Sequence, residues 1–440
     1  MSATNPVSSG SAVRHSRNKL HPDEKIKADK LGGQMFKIGL GAGAILLGIS
    51  IALGAKEDDS WRHFLHAYLT AWSFALSICI GALFFILVHH LARAKWGIVL
   101  RRQAEFITGA FPLMAILGLV VLIPVLAGNE QLYFWSVKQL HDKNHPFFHH
   151  MHHKLGWLDP VFFAARYVFY FAVFIAISMW FRKHSRDADT AGDEGRAEKM
   201  RVWSGLAVLI YSLNTVFFVT DMFMTLQPLW FSTIYAVNYF AGAMLATYCV
   251  LALFSMFIQN TGRLTHSITV EHYHDIGKYM FGWTFFWIYT AFSQFMLQWY
   301  GNMPEETVFY TYRMFGGWQI VSILVLLGHW AFPYVSLLTR WSKRILPLLA
   351  FFAVWQLVFH YVDLYWNVMP NAHWTMEGGW NRGPLQGDPE LYKVGFRFMD
   401  VTLLFALIGL WVAGVGASMK GNLVPVNDPK LGQALAFENY

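Results

Sequence analysis

Cysteine and charge are what this sequence has least of. Two cysteines occur in 440 residues, Cys79 and Cys249, both inside apolar stretches and far apart in the chain. That excludes a disulfide framework, a four-cysteine iron–sulfur site and a C-x-x-C-H haem attachment. Electrons can reach this polypeptide only on a diffusible carrier or on cofactors held by other chains. Charged residues make up 14% of the sequence, against 55% hydrophobic and 17% aromatic, too little polar surface for a soluble fold of this length. Long polar segments are missing as well, so no catalytic domain can fold outside a bilayer. The expected fold class is all-α, a polytopic membrane protein.

A helix needs roughly 20 apolar residues to cross about 30 Å of hydrocarbon. Ten stretches qualify: 35–54, 64–91, 104–127, 158–181, 202–224, 233–258, 279–299, 314–337, 345–367 and 393–416. They divide the chain into an N-terminal arm (1–34), a ten-helix membrane domain (35–416) and a C-terminal tail (417–440). The arm is polar and rich in Ser, Lys and His, the composition of a disordered or partner-bound segment. It has no secretory-signal pattern, because the apolar stretch after it is longer than a signal core.

Orientation follows from lysine and arginine. With the N-terminus inside, 23 of the 34 fall on the inner segments and 9 on the outer ones, leaving Lys37 and Arg166 within spans. By the positive-inside rule both termini are cytoplasmic. The net charge of +7 is then a by-product of topology and points to no nucleic-acid partner.

A charge in hydrocarbon costs a few kcal/mol even on lenient scales, so it is seldom there without a partner or a task. Following the topology, Asp221 lies in the outer part of the fifth span. His360 and Asp363 lie three residues apart, on one helix face of the ninth. Asp400 is two turns into the tenth, and Asp159 and Arg166 occupy the outer part of the fourth. His89, His90 and His329 lie deeper, toward the cytoplasm. Thr220, Tyr235, Tyr239, Tyr361 and Tyr365 add hydroxyls. Carboxylates and imidazoles gathered in one leaflet suit a proton relay or a quinol pocket. The structural alternative is that Arg166 pairs with Asp221 or Asp159 to hold helices together and that interfacial histidines cap helix ends.

Between the third and fourth spans, His149, His152 and His153 form an H-x-x-H-H box, with His145 one turn before it, a weak candidate for a metal. Histidine-box oxygenases need several such boxes on the cytoplasmic face, whereas this one lies outside. His63-x-x-His66 and His272-x-His274 do not complete the set. An aromatic, histidine-rich interfacial helix that docks a partner is the simpler reading. Trp61, Trp157, Trp203, Trp299 and Trp366 sit at span ends, where aromatic anchors are expected.

Several segments resemble one known family. They are His89-His90-Leu91-Ala92-Arg93-Ala94-Lys95-Trp96 with Arg101-Arg102; Gly156-Trp157-Leu158-Asp159-Pro160-Val161-Phe162-Phe163; Asp221 followed by Thr225 to Tyr235 with Phe240-Ala241-Gly242; and Asn302-Met303-Pro304-Glu305-Glu306. Together they resemble the F-type membrane subunits of alternative complex III, a bacterial quinol:electron acceptor oxidoreductase, along nearly the whole chain. That family is similar to the NrfD and polysulfide reductase membrane anchors. The resemblance implies ten helices, with two four-helix bundles (about 64–224 and 233–367) flanked by the first and tenth. It implies partners: an NrfD-like sister subunit, a large periplasmic iron–sulfur protein and c-type cytochromes. The complex oxidises membrane quinol in a respiratory or photosynthetic chain and passes electrons to a cytochrome c, a copper protein or an attached oxidase.

On that resemblance the sister subunit is the better candidate for the quinol site. This chain then carries no redox centre or catalytic residue of its own, conducts protons or stabilises the assembly, and touches quinone and lipid. Haem and iron–sulfur clusters belong to the partners. Asp159, His89, His90 and Asp221 lie inside the matching motifs; His360, Asp363, Asp400 and His329 rest on depth alone. Small residues in the first span, among them Gly39, Gly41, Gly43 and Gly48, suggest close contacts to neighbouring subunits or lipids. Two other classes stay open: a stand-alone proton-coupled transporter, for which breaks around Pro112 and Pro333 are only weak support, and a histidine-box metal oxygenase.

Overall fold

Inside hydrocarbon only a helix satisfies every backbone N–H and C=O within one segment, and the apolar stretches fold accordingly. The structure is a computed structural model that describes residues 19–57, 61–137, 148–191, 194–373 and 393–439. In chain order the helices are α1 (Asp29–Gly54), α2 (Arg62–Leu91), α3 (Ile98–Thr108), α4 (Phe111–Leu126), α5 (Phe148–Leu155), α6 (Pro160–Ala191), α7 (Glu194–Met222) and α8 (Tyr235–Asn260). They continue with α9 (Val270–Gly301), α10 (Pro304–Thr311), α11 (Trp318–Leu324), α12 (Phe332–Leu338), α13 (Arg340–Arg344), α14 (Leu346–Val368), α15 (Phe398–Ser418) and α16 (Leu431–Leu435). A π-helical segment, Val325–Ala331, joins α11 to α12. Among the described residues there is no strand, only an isolated bridge between Lys27 and Asn422.

Nine helical runs among the described residues are long and apolar enough to cross a membrane, so the chain is a multi-pass membrane protein. The stretch expected as the seventh crossing is not one of the nine. It lies in α9, 32 residues long, which opens on His272, His274, Asp275 and Lys278 and carries Gln294 and Gln298 further along. In the stretch from Arg182 to Arg201, expected as a loop, the described residues are instead helical: α6 runs to Ala191 and α7 starts at Glu194. The third crossing is stepped at Gly109 and Ala110, between α3 and α4.

The helix pairings repeat. Early in the chain α2 packs on α3, α4 and α7, and α6 packs on α4 and α7. Later α8 packs on α9 and α14, and the α11–α12 stretch packs on α9 and α14. Contacts of α2 with α8 and α14 join the two sets. Helix α2 is accordingly the most enclosed crossing and α1 the least.

Helices α1 and α15 form a close seam made possible by missing side chains. A Cβ at Gly39 would lie 2.6 Å from the Gly409 carbonyl oxygen, one at Gly43 2.9 Å from that of Ala406, and one at Gly416 2.7 Å from that of Gly32. The first-span glycines expected to face neighbours therefore divide. Gly39 and Gly43 are used within the chain, while Gly41 and Gly48 meet nothing within 4 Å.

Both ends of the described chain, Lys19 and Asn439, lie on one side of the bundle, the termini side. Residues 19–28, part of the arm expected as disordered or partner-bound, pack on the chain itself: the Glu24 carboxylate accepts from the His266 N–H and the Ser267 hydroxyl, each at 3.0 Å. Leu423 N–H donates to the Ile26 carbonyl at 2.7 Å. The C-terminal tail is tied down by Arg101 to Asp428 at 2.5 Å and by Asn427 to the Asp189 carbonyl at 2.6 Å.

Candidate functional site

Helix α14 carries the centre of the site. His360 and Asp363, one turn apart, face inward between α2, α8, α9 and the α11–α12 stretch, and both are buried. The Asp363 carboxylate accepts from the Trp287 indole N–H on α9 and from the Asn367 amide, each at 3.2 Å. Neither donor carries a charge.

On one side of Asp363 lies a cavity of about 250 Å³. Trp287, Phe295, Tyr310 and Trp366 supply aromatic walls, and Asn238, Gln294 and Ser322 supply polar edges. Phe292, Met314 and Leu326 line its outer rim and are exposed on the lipid-facing surface, so it opens sideways between α9 and α11. This is the mix of mostly apolar wall and a few placed polar groups expected of a ligand site.

Arg313 closes one end of the cavity. Its Nε donates to the Trp366 carbonyl (3.0 Å), Nη2 to that of Asn367 (2.9 Å) and Nη1 to that of Phe309 (2.6 Å). The guanidinium also lies 3.5 Å from the Phe309 ring centroid and 4.8 Å from that of Trp366. Burial lowers its pKa to about 9, so it stays a cation at neutral pH. It caps the last carbonyls of α14, where the helix dipole favours positive charge, and lends its field to Asp363.

On the other side of Asp363 a second gap, about 10 Å³, lies between it and His360, bordered by Tyr235, Asn238 and Tyr239. That is about the room one water needs, with polar groups to hold it. His360 Nε2 is 3.0 Å from the Ser77 hydroxyl on α2, whereas Nδ1 has no hydrogen-bond partner among the described residues. The ring can lie flat against α8 because residue 242 is glycine: a Cβ there would sit 2.9 Å from His360 Cε1 and 3.0 Å from Nδ1. His329 lies 6.0 Å from His360 between ring centroids, edge-on to Trp287 at 4.2 Å. It belongs to the π-helical segment and neither of its ring nitrogens has a partner among the described residues. Such bulges often mark functional positions.

The other candidates lie apart from this cluster. Asp221 accepts from Arg166 Nε at 2.6 Å, the Tyr170 hydroxyl at 2.7 Å and the Trp157 indole at 2.8 Å, so it is fully paired. Asp159 caps α6, accepting the Phe162 N–H at 2.9 Å. Asp400 is 2.8 Å from His63 Nε2, accepts the Arg397 N–H at 3.0 Å and lies near the Tyr365 hydroxyl at 3.3 Å. His89 and His90 sit at the termini end of α2. His89 Nδ1–H donates to the Phe85 carbonyl at 2.8 Å, and its ring packs on Gly97. Lys343, on the same side, donates to the Leu337 carbonyl at 2.8 Å.

His152 and His153 are exposed on α5 with ring centroids 3.6 Å apart. His145 and the side chain of His149 lie outside the described residues. Among the described residues no group of three or more His, Cys, Asp or Glu is placed to hold a metal.

Arg313, Trp287 and Ser77 are among the site residues that carry no expectation from sequence. Arg313 counts as one more cation in an outer segment, Trp287 as one tryptophan among 19, and Ser77 as a small residue in a long apolar run. The signal that could have found Asn367 is its spacing, an amide one turn beyond Asp363 on the same face. Comparison with protein-family models and with curated proteins gives no match for this chain.

Proposed function

We propose that this chain is a membrane subunit of a quinol-oxidising electron-transfer assembly of the alternative complex III kind, with a proton relay centred on Asp363 and no redox centre of its own. The observation that carries this reading is the placement of Asp363. It is a buried carboxylate standing between a cavity open to lipid and an internal histidine. A carboxylate held only by neutral donors can take and give a proton without breaking an ion pair, and His360 with its unpartnered Nδ1 can accept the next transfer. Oxidation of a quinol releases two protons as two electrons leave for an iron–sulfur or haem centre. Two cysteines in separate helices cannot hold a four-cysteine cluster, and the chain has no C-x-x-C-H haem attachment. Those centres would belong to partner subunits, namely an iron–sulfur protein and c-type cytochromes beside an NrfD-like sister subunit.

The repeated helix pairings suit two bundles, α2 to α7 and α8 to α14, with α1 and α15 outside them. Within an assembly α9 makes the tenth crossing, its polar start at the membrane surface and its glutamines turned inward. The lysine and arginine asymmetry supports cytoplasmic termini in a bacterial inner membrane. Asp363 and the cavity then face the periplasmic half, where a half-channel is enough to release protons outside.

The test is Asp363→Asn and His360→Gln in the assembled complex. Both should assemble and both should lower quinol turnover and coupled proton release, by about 10²-fold or more where a proton-transfer group is lost. Unchanged turnover and proton release in both would remove the relay. A stand-alone transporter is the second reading, favoured by the π-helical segment ahead of Pro333. The other break, at Gly109, falls in a non-corresponding helix, against the matched half-helices such transporters use. Purification without haem- and iron–sulfur-bearing partners would favour the transporter.

A further inference from the structure

A second opening to lipid, about 490 Å³, shares no lining residue with the cavity beside Asp363. Its floor is α2 at Phe74 and Ile78, one wall is α15 with Met35 of α1, and the other wall is α8 with α14. Phe257, Val358 and Phe405 stand exposed at its rim. The α8 and α15 walls run to within a turn of those helices' ends, at Phe257 and Val415, so the groove lies in the termini-side half of the bundle. Of its lining residues only Tyr361 and Trp411 carry a polar hydrogen, and both are engaged. The Tyr361 hydroxyl donates to the Asp400 carbonyl at 3.3 Å and the Trp411 indole to Cys79 Sγ at 3.2 Å. The groove therefore offers hydrocarbon a dry wall and offers a polar ring nothing to hydrogen-bond.

Three cations gather beyond its termini-side end. Arg263 follows α8 and Lys420 follows α15, six and five residues past the wall residues Phe257 and Val415. Arg263 Nε donates to the Lys27 carbonyl at 3.1 Å. The Ala28 N–H donates to the Gly421 carbonyl at 3.0 Å, which brings Lys420 beside Lys27. The remaining printed bonds of Arg263 go to the Thr261 carbonyl and hydroxyl, and both lysines are exposed. On the same side Arg344 pairs with Glu271 and Lys278 with Asp275, whereas Lys27, Arg263 and Lys420 form no ion pair among the described residues. Glu24 is turned to the His266 N–H and the Ser267 hydroxyl.

We propose that this groove binds an anionic phospholipid of the termini-side leaflet, with one acyl chain lying in the groove and the phosphate on Lys27, Arg263 and Lys420. Dimensions separate a hydrocarbon chain from a partner's helix. The α15 wall, Leu404 to Val415, is about 16 Å long at 1.5 Å per residue, close to one leaflet's half of roughly 30 Å of hydrocarbon. Spread over that length, about 490 Å³ is a cross-section of about 30 Å², whereas a helix about 10 Å across fills about 80 Å². The groove is too thin for a helix and wide enough for an extended chain. Charge then selects the headgroup, since Lys and Arg at a membrane surface attract anionic lipid. Bound there, the lipid braces the α1–α15 pair against α8 and α14. None of these residues belongs to the proposed proton relay, so the site stands independently of that reading.

The test uses the full chain purified in detergent and stripped of lipid, titrated with phosphatidylglycerol or phosphatidylcholine of the same acyl composition and read by native mass spectrometry. One phosphatidylglycerol per chain should be retained, about tenfold or more tightly than phosphatidylcholine. The combined variant Lys27→Gln, Arg263→Gln and Lys420→Gln should erase that preference; all three positions lie outside the helices, so the bundle is kept. Ile408→Trp, which puts an indole into the α15 wall, should lower retention of both lipids by a similar factor. A phosphatidylglycerol with a diazirine in its acyl chain should label 250–257 and 404–415, in native membranes as in detergent. Equal retention of the two lipids, an undiminished preference in the combined variant, or label spread evenly over the lipid-facing helices would overturn the assignment. Loss of the label in native membranes would overturn it too, because another subunit would then cover the groove.

Discussion

Replacing Arg166 by glutamine tests whether the two acidic sites have been sorted correctly. Asp221 is 1% exposed and Arg166 Nε sits 2.6 Å from it, so the variant leaves a carboxylate in a dry interior with only the Tyr170 and Trp157 donors. Removing one partner of a buried ion pair costs about 3–5 kcal/mol. The guanidinium also lies 4.2 Å from the Trp157 ring centroid and 4.5 Å from that of Phe162, contacts worth about 1–2 kcal/mol when desolvated. A loss of about 4 kcal/mol or more is therefore expected. Asp221→Asn alone strands the arginine instead and should cost a similar amount. The double variant buries no unpaired charge and should recover about 2 kcal/mol or more relative to the sum of the singles. The assay is a double-mutant cycle on detergent-induced unfolding of the purified chain. Additivity within about 0.5 kcal/mol would refute the pairing. Asp363→Asn is the contrast: its donors are neutral and Arg313 keeps its three carbonyls, so stability should change by less than about 1 kcal/mol while proton release falls.

Three further outcomes follow from particular contacts. His272, at the polar start of α9, accepts the Thr269 N–H on Nδ1 at 3.1 Å and donates from Nε2 to the Ala434 carbonyl at 3.2 Å, pinning the tail in the neutral form. Burial lowers its pKa to about 4. The unfolded value is about 6.5, so this stability is whole above that pH and is lost as pH falls toward 4, up to about 3 kcal/mol. Hydrogen exchange of residues 420–439, corrected for intrinsic rates, should rise in that window; a flat profile contradicts it. Gly242→Ala brings a methyl within 3 Å of the His360 ring, and should cut quinol turnover in an assembled complex; wild-type turnover would show that the ring's position is not critical. Gly39→Val inserts side-chain atoms where a Cβ alone would lie 2.6 Å from the Gly409 carbonyl. It should cost about 1–3 kcal/mol by overpacking and lower the yield of α1–α15 cross-links between engineered cysteines, with unchanged cross-linking as the contrary result.

Much of the architecture was legible because the bilayer imposes a length and a composition on every crossing. Nine of the ten expected stretches meet both demands; α9 meets the length alone, since its polar residues are tolerable only where other helices cover them. Helix limits were less legible where apolar character and helicity part company. The charged run from Arg182 to Arg201 is poor in hydrocarbon, yet its described residues continue α6 to Ala191 and open α7 at Glu194, because charged side chains such as Lys, Arg and Glu are good helix formers in water.

At the site, sequence by itself determined which groups can carry a proton and that His360 and Asp363 share a face, since a three-residue spacing does that on any helix. It also shows two cysteines, with no four-cysteine cluster pattern and no C-x-x-C-H haem attachment. Only the tertiary structure decided what each carboxylate does. Asp221 and Asp363 look alike in sequence, yet one is closed by Arg166, Tyr170 and Trp157, and the other is left beside a cavity because Arg313 turns to the carbonyls ending α14. Whether a buried charge is locked or available depends on which donors reach it from other helices. Those donors lie tens to hundreds of residues away, and chain spacing holds no record of the distance that folding brings them to.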